Sequence, residues 1–260
     1  MMHGETSTRT RRIRYLLLAA GAGAICTASA NAQWTAISLH PAGADDSVAK
    51  SVDGVFQFGT VNVDESAVLW SSSPSSALRL NPDPTYGSLG HATLGGVQAG
   101  SVAAPRGTGA RAAAWSGTPQ SWVDLHPAHI ESVTASVAYT LGGGKFGGTY
   151  FVESDEIFSL GRACMWTGPD AQSWVDLQPI GYETGEILGM SGNQQVGATY
   201  DSFLGMAAMW SGTAESFVDL NPPGAFASSA TCTDGTHQYG VAAVFEPVPM
   251  IAPARWSGTA

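Results

Sequence analysis

WSGTPQSWVDLHP (Trp115 to Pro127), WTGPDAQSWVDLQP (Trp166 to Pro179) and WSGTAESFVDLNP (Trp210 to Pro222) are three copies of one phrase, and WSSSPSSALRLNP (Trp70 to Pro82) is a degenerate fourth. Its leading tryptophan recurs at 70, 115, 166, 210 and 256, at spacings of 45, 51, 44 and 46. A second anchor, a polar residue two positions before a glycine, precedes each of them: Gln57-Phe58-Gly59, Gln98-Ala99-Gly100, Lys145-Phe146-Gly147, Gln195-Val196-Gly197 and Gln238-Tyr239-Gly240. Self-similarity at such a period means an array of identical supersecondary units, each too small to bury its own apolar face.

Within a unit the turn signals fall about every ten residues, which predicts four short strands. In the last unit Ala225 to Cys232 precedes the turn Asp234-Gly235, His237 to Phe245 precedes a proline-rich loop, and Ala254 to Trp256 leads into Ser257-Gly258. Asp-Gly and Gly-Gly between extended runs are hairpin signals, because two-residue hairpins need positive φ. Gly, Pro and Ser interrupt every window before a helical period builds. In Trp122-Val123-Asp124-Leu125 the apolar side chains face both ways, as in a sheet sandwiched between neighbouring sheets. The recurring tryptophans therefore read as packing between sheets. The expected fold is all-β, a five-bladed β-propeller of four-stranded blades.

The chain's two ends predict how that ring shuts. Ile37-Ser38-Leu39-His40-Pro41 matches the end of a repeat, and Arg255-Trp256-Ser257-Gly258 stops short of one. The N-terminal strand is thus expected to close the last blade, with Ile37 and Leu39 beside Ala254 to Trp256. Closure removes the open edge that invites aggregation.

Residues 1–32 read as a signal peptide. Arg9, Arg11, Arg12 and Arg14 precede an apolar run from Tyr15 to about Cys26, and Ala30-Asn31-Ala32 is a small-x-small cleavage site. Residues 33–260 form the repeat domain, secreted or periplasmic, and no later stretch is apolar for the roughly 20 residues of a membrane span. Without the signal the chain keeps 7 Lys+Arg against 20 Asp+Glu, a net charge of −13 against −10 for the whole chain. That surface disfavours nucleic acid and anionic lipid as partners. Cys164 and Cys232 fall in different strands of distant units and are expected to stay unpaired.

The motif W-S-G-T-x-x-S-W-V-D-L-x-P followed by G-x-Q-x-G resembles secreted bacterial repeat proteins, similar to the extracellular HAF-repeat group and to repeat proteins with a PEP-type C-terminal sorting signal. The resemblance covers essentially all of residues 33–260 and implies an exported, propeller-like protein of no established activity. Glu246-Pro247-Val248-Pro249 echoes the sorting signal, but a repeat strand follows it.

No cofactor or metal motif is present. His126 and His129 are separated by a turn proline, and Asp45-Asp46 and Glu153-Ser154-Asp155-Glu156 lack the alternating spacing of a calcium loop. Asp124, Asp176 and Asp219 share one repeat position, where local hydrogen bonding is the expected role. The residues expected to line a ligand-binding rim are the polar ones before each proline: His40, Asn81, His126, Gln178 and Asn221. Tyr86, Tyr182 and Phe226 are expected on the same face, and turn formation accounts for the polar five without any ligand. A non-catalytic extracellular module that engages cell-surface polysaccharide or protein fits this pattern best. The alternative is a glycan-acting hydrolase of the five-bladed type, which needs at least two carboxylates converging on the axis.

Overall fold

The structure is a computed structural model that describes residues 35–61, 65–83, 86–103, 109–153, 160–201, 204–245 and 248–258. The signal peptide, Asp64, most of the 153–161 loop and Glu246-Pro247 lie outside the described residues. Five antiparallel sheets follow one another along the chain, and no α-helix occurs among the described residues. The first sheet holds β1 (Ser47–Asp53), β2 (Phe56–Val61), β3 (Ser66–Ser71) and β4 (Leu78–Arg79). The second holds β5 (Ser88–Leu94), β6 (Val97–Ala103), β7 (Ala110–Trp115) and β8 (Val123–Asp124). In the third are β9 (Val133–Gly142), β10 (Lys145–Val152), β11 (Leu160–Trp166) and β12 (Trp174–Asp176). The fourth comprises β13 (Thr184–Ser191), β14 (Gln194–Asp201), β15 (Leu204–Trp210) and β16 (Val218–Asp219). The fifth has three strands, β17 (Ala225–Thr233), β18 (Gln238–Phe245) and β19 (Pro249–Trp256).

Each sheet is joined to the next by the same lock. The leucine that ends a fourth strand packs with the tryptophan of the following sheet: Leu80 with Trp115, Leu125 with Trp166, Leu177 with Trp210, and Leu220 with Trp256. All four leucines are fully buried, and each such burial stabilises by about 2 kcal/mol. In the phrase around β8, Trp122 packs toward the first sheet while Leu125 packs toward the third, so the apolar side chains do face both ways. The indole Nε1–H of Trp166 also donates to the Leu125 carbonyl, at 2.6 Å.

Register corrects two sequence readings. The glutamines Gln57, Gln98, Gln195 and Gln238 each pair across from their unit's tryptophan, and in the third unit Phe146 takes that place. The third anchor is therefore Phe146-Gly147-Gly148, shifted by one residue from Lys145-Phe146-Gly147. The glutamine matters because its Oε1 accepts the backbone N–H of the turn beyond the tryptophan, Gly117, Gly212 or Gly258, at 2.8 Å in each case. Phe146 cannot do this, and Ser173 Oγ takes the Gly168 N–H instead, at 3.2 Å. The second correction is that β19 begins at Pro249, so Met250 to Pro253 is strand where a proline-rich loop was expected. Both Pro249 and Pro253 are tolerated because β19 is an edge.

The expected pairing of Ile37 and Leu39 with β19 is not formed. Residues 35–40 lie outside any strand, β19 pairs among the described residues with β18 alone, and Ile37 is 65% exposed. Leu39 is instead engaged by the first sheet, against Trp70. The outward faces of the first and last sheets are only partly covered. Val52 is 67% exposed although the matching Thr93 of β5 is 5%, and Val241 is 41% exposed although the matching Ala198 of β14 is 0%.

Candidate functional site

Of the five residues before the prolines, His40 is exposed, His126 is buried, and Asn81, Gln178 and Asn221 are half-buried. Asn81, His126 and Asn221 pin consecutive sheets together. Asn81 Oδ1 accepts from Ser88 Oγ at 2.8 Å, and that same oxygen accepts the backbone N–H of Ala67 at 2.9 Å. Asn221 repeats the relay with Ser228 and the Ala207 N–H, at 2.6 and 2.9 Å. His126 Nδ1 meets Ser136 Oγ at 2.9 Å, and Ser136 Oγ accepts from Ala112 N at 3.0 Å. His40 Nδ1 meets Ser47 Oγ at 2.9 Å in the same way. In the remaining unit no serine is available, and Gln178 Oε1 reaches the Ala163 N–H itself, at 3.1 Å. Its extra methylene replaces the serine hydroxyl, and Gly185 leaves the room: a Cβ there would lie 2.8 Å from Gln178 Oε1. Burial keeps His126 below the usual imidazole range, Arg111 adds to this, and Asp124 opposes it. The three repeated aspartates are also committed locally. Asp124, Asp176 and Asp219 accept the backbone N–H of His126, Gln178 and Asn221, at 2.9, 2.9 and 2.7 Å.

A different row of side chains stands out on the first strands. Every one of β1, β5, β9, β13 and β17 carries a β-bulge at the same place, which skips Lys50, His91, Tyr139, Leu188 and Thr231 in the pairing register. A bulge leaves its extra residue unpaired and re-aims the side chain. The bulge also explains the anchor glycine on the second strand. A Cβ at Gly59, Gly100, Gly148, Gly197 or Gly240 would sit 1.8–2.0 Å from a carbonyl oxygen of the first strand, just ahead of the bulge. Glycine is thus required for the folded backbone to tuck in, and the two features come as a pair.

Bulged residues of neighbouring sheets touch. Lys50 Nζ lies 3.3 Å from His91 Nδ1, and the His91 and Tyr139 rings meet edge to face with centroids 5.1 Å apart. Donation by the ammonium to Nδ1 places the imidazole proton on Nε2, a buried atom with no hydrogen-bond partner. Burial and the Lys50 charge push His91 down to about 4. Burial pushes Tyr139 up to about 12, with Glu186 second. Among the described residues no group of three or more His, Cys, Asp or Glu side chains is placed to hold a metal ion. Cys164 is buried and Cys232 exposed, and neither is in a disulfide.

No family model and no curated protein matches the chain. Among solved structures it is similar to TolB from Acinetobacter baumannii, at 15% identity and a TM-score of 0.43 over 67% of this chain and 42% of that one. It is similar also to puromycin hydrolase, at 12% identity and a TM-score of 0.39 over 83% of this chain and 45% of the other. The chain spans less than half the length of either. Likeness at this level carries no information about activity.

The row escaped the sequence reading because its side chains differ in every unit, and repeats are recognised by what stays the same. One signal was available. Each bulged residue stands four positions before the positive-φ glycine of its hairpin, Gly54, Gly95, Gly143, Gly192 or Gly235. Aligned on that glycine, the column reads Lys, His, Tyr, Leu, Thr, while the column after it holds only small residues, Ser, Ala, Thr, Gly and Cys.

Proposed function

We propose that this chain is an exported, non-catalytic binding module built as a closed five-bladed β-propeller, with its ligand site along the bulged row of the first strands. The observation that carries the reading is the combination of one repeated backbone device with five different side chains. A rigid scaffold that varies only what it displays is how recognition surfaces are built. Support for closure comes from the partly covered faces at Val52 and Val241, which are the two faces a ring brings together, and from Leu39, which already holds the seat on Trp70 that a preceding blade's leucine would take. The motif's resemblance to secreted repeat proteins and the signal-like leader support export to the cell exterior, where polysaccharide or protein is the available partner. A glycan hydrolase is less well supported, because the row itself holds no carboxylate and the repeated aspartates are spent on turns.

Residues 33–260 displayed on a glycan array and against cell-surface protein extracts should retain a ligand without releasing products. The double variant Lys50→Ala/His91→Ala should weaken that binding at least tenfold, whereas Glu215→Gln, at an exposed position outside the row, should change it little. Turnover of a glycan by the purified protein, or binding indifferent to the double variant, would reject the reading.

A further inference from the structure

Beside Tyr139, the middle residue of the row, a cleft of about 350 Å³ opens between the third and fourth sheets, lined by Tyr139, Thr149, Phe151, Thr184, Glu186 and Tyr200. Gly161 and Gly185 complete its wall without side chains. Three of the lining residues are aromatic and one is a carboxylate. Tyr200 donates its hydroxyl to Glu186 Oε1 at 2.6 Å, which fixes the carboxylate beside the rings. No lysine, arginine or histidine among the described residues forms an ion pair with Glu186. Both phenols are held in the neutral form by burial and by the nearby Glu186 charge, so they present ring faces and hydroxyls rather than phenolates. The chain's net charge of −10 adds a negative field around the cleft.

We propose that this cleft binds the ammonium group of an organic cation, with Glu186 as counter-ion and Tyr139, Phe151 and Tyr200 as the aromatic walls. An ammonium near aromatic faces is attracted by the ring quadrupoles, more strongly as it is desolvated, and a quaternary ammonium suits such a cage. A carboxylate anchored by one tyrosine and unpaired with any cation supplies the charge such a guest brings. The proposal deepens the module reading, because Tyr139 belongs to the same bulged row.

The test is titration of residues 33–260 with tetramethylammonium chloride, followed by amide chemical shifts, with tert-butanol as the neutral probe of similar shape. Saturable shifts at Tyr139, Glu186 and Tyr200 with the cation but not with the alcohol are expected. Glu186→Gln keeps an acceptor for Tyr200 and should weaken the cation at least tenfold. Tyr139→Phe keeps the ring and should stay within about threefold of wild type. If Glu186→Gln does not fold, competition of tetramethylammonium with sodium and with choline on the wild-type protein decides: choline should displace it and sodium should not. Equal response to the alcohol, insensitivity to Glu186→Gln, displacement by sodium as readily as by choline, or no saturation below about 100 mM overturns the proposal. A ligand from the array that needs Lys50 and His91 but is unaffected by tetramethylammonium or Glu186→Gln would reject the cation cleft and keep the module. Tetramethylammonium binding with no array ligand would do the reverse.

Discussion

At the residue scale, the inter-sheet pins make the sharpest claim, because the same relay is built in two ways. Asn221 with Ser228, and Gln178 with Gly185, deliver an acceptor to the same backbone N–H, that of Ala207 or Ala163. Swapping one half of a pair should hurt and swapping both should not. Gly185→Ser alone puts a Cβ against Gln178 Oε1, and Gln178→Asn alone leaves the buried Ala163 N–H without an acceptor, each costing about 1–3 kcal/mol. The double variant rebuilds the Asn-Ser relay, so urea unfolding should show the two costs largely cancelling, a coupling of more than about 1 kcal/mol. Simple additivity would mean that the relay holds nothing. His91 yields a second prediction at this scale. Its folded pKa of about 4 lies below the ordinary 6.5, so the unfolded chain binds the extra proton between those values. Stability contributed by the neutral imidazole is present above about pH 6.5 and is lost as pH falls toward 4, by of order 2 kcal/mol. His91→Gln should flatten that part of the stability curve in urea melts at pH 7 and 4.5. Asp234 acts elsewhere: the backbone N–H groups of His237 and Thr236 hold its carboxyl down to about 2, so its contribution disappears only as pH falls below the ordinary carboxylate range.

At the element scale, strands and sheets were legible in the sequence, and edges were not. Repetition of Trp, Asp-Leu and turn glycines marked the number of sheets and the inward tryptophans, because those residues do the same work in every unit. Position along the stack breaks that equivalence. β19 looks like β7 or β15 by repeat alignment, yet it runs back through Pro253 to Pro249 and has no strand beyond it among the described residues. Equivalent residues of the other sheets, Ala67 and Ala207, turn their N–H outward to a serine of the next sheet. At Pro253 that outward donor is missing. Proline with its N-side facing away from the ladder is a known protection of an exposed edge. Pro253→Ala restores one outward N–H without disturbing the pairing of β18 with β19. Its expected effect is small on the melting temperature and clear on colloidal stability, with light scattering on heating rising earlier than in wild type. An unchanged onset would show that the proline does not protect this edge.

At the scale of the whole molecule, the open question is what the first and last sheets do with their partly covered faces. Four inter-sheet contacts in series share one geometry, and the fifth is half built: Leu39 sits on Trp70, and His40 meets Ser47 as His126 meets Ser136. What is absent is the pairing of the same segment with β19. The other sheets state where it should go. Leu69 pairs with Leu78, Ala114 with Val123 and Met209 with Val218, in each case the residue just before the tryptophan with the residue two before the leucine. By that rule Arg255 pairs with Ile37 and Ala254 with Ser38. Ile37→Cys/Arg255→Cys in a Cys232→Ser background should therefore form an intramolecular disulfide under mild oxidation, since paired strand residues fall within the 4.4–6.8 Å Cα range a disulfide needs. Bridging should raise the melting temperature, because it closes nearly the whole chain into one loop, a constraint that in the chain-entropy account is worth about 5 kcal/mol. The shifted pair Ile37→Cys/Pro253→Cys should bridge far less readily. A disulfide found between two chains would show that the same faces join copies head to tail. Bridging at both pairs alike would show that the N-terminal segment has no fixed register, and the closed propeller would fall with it.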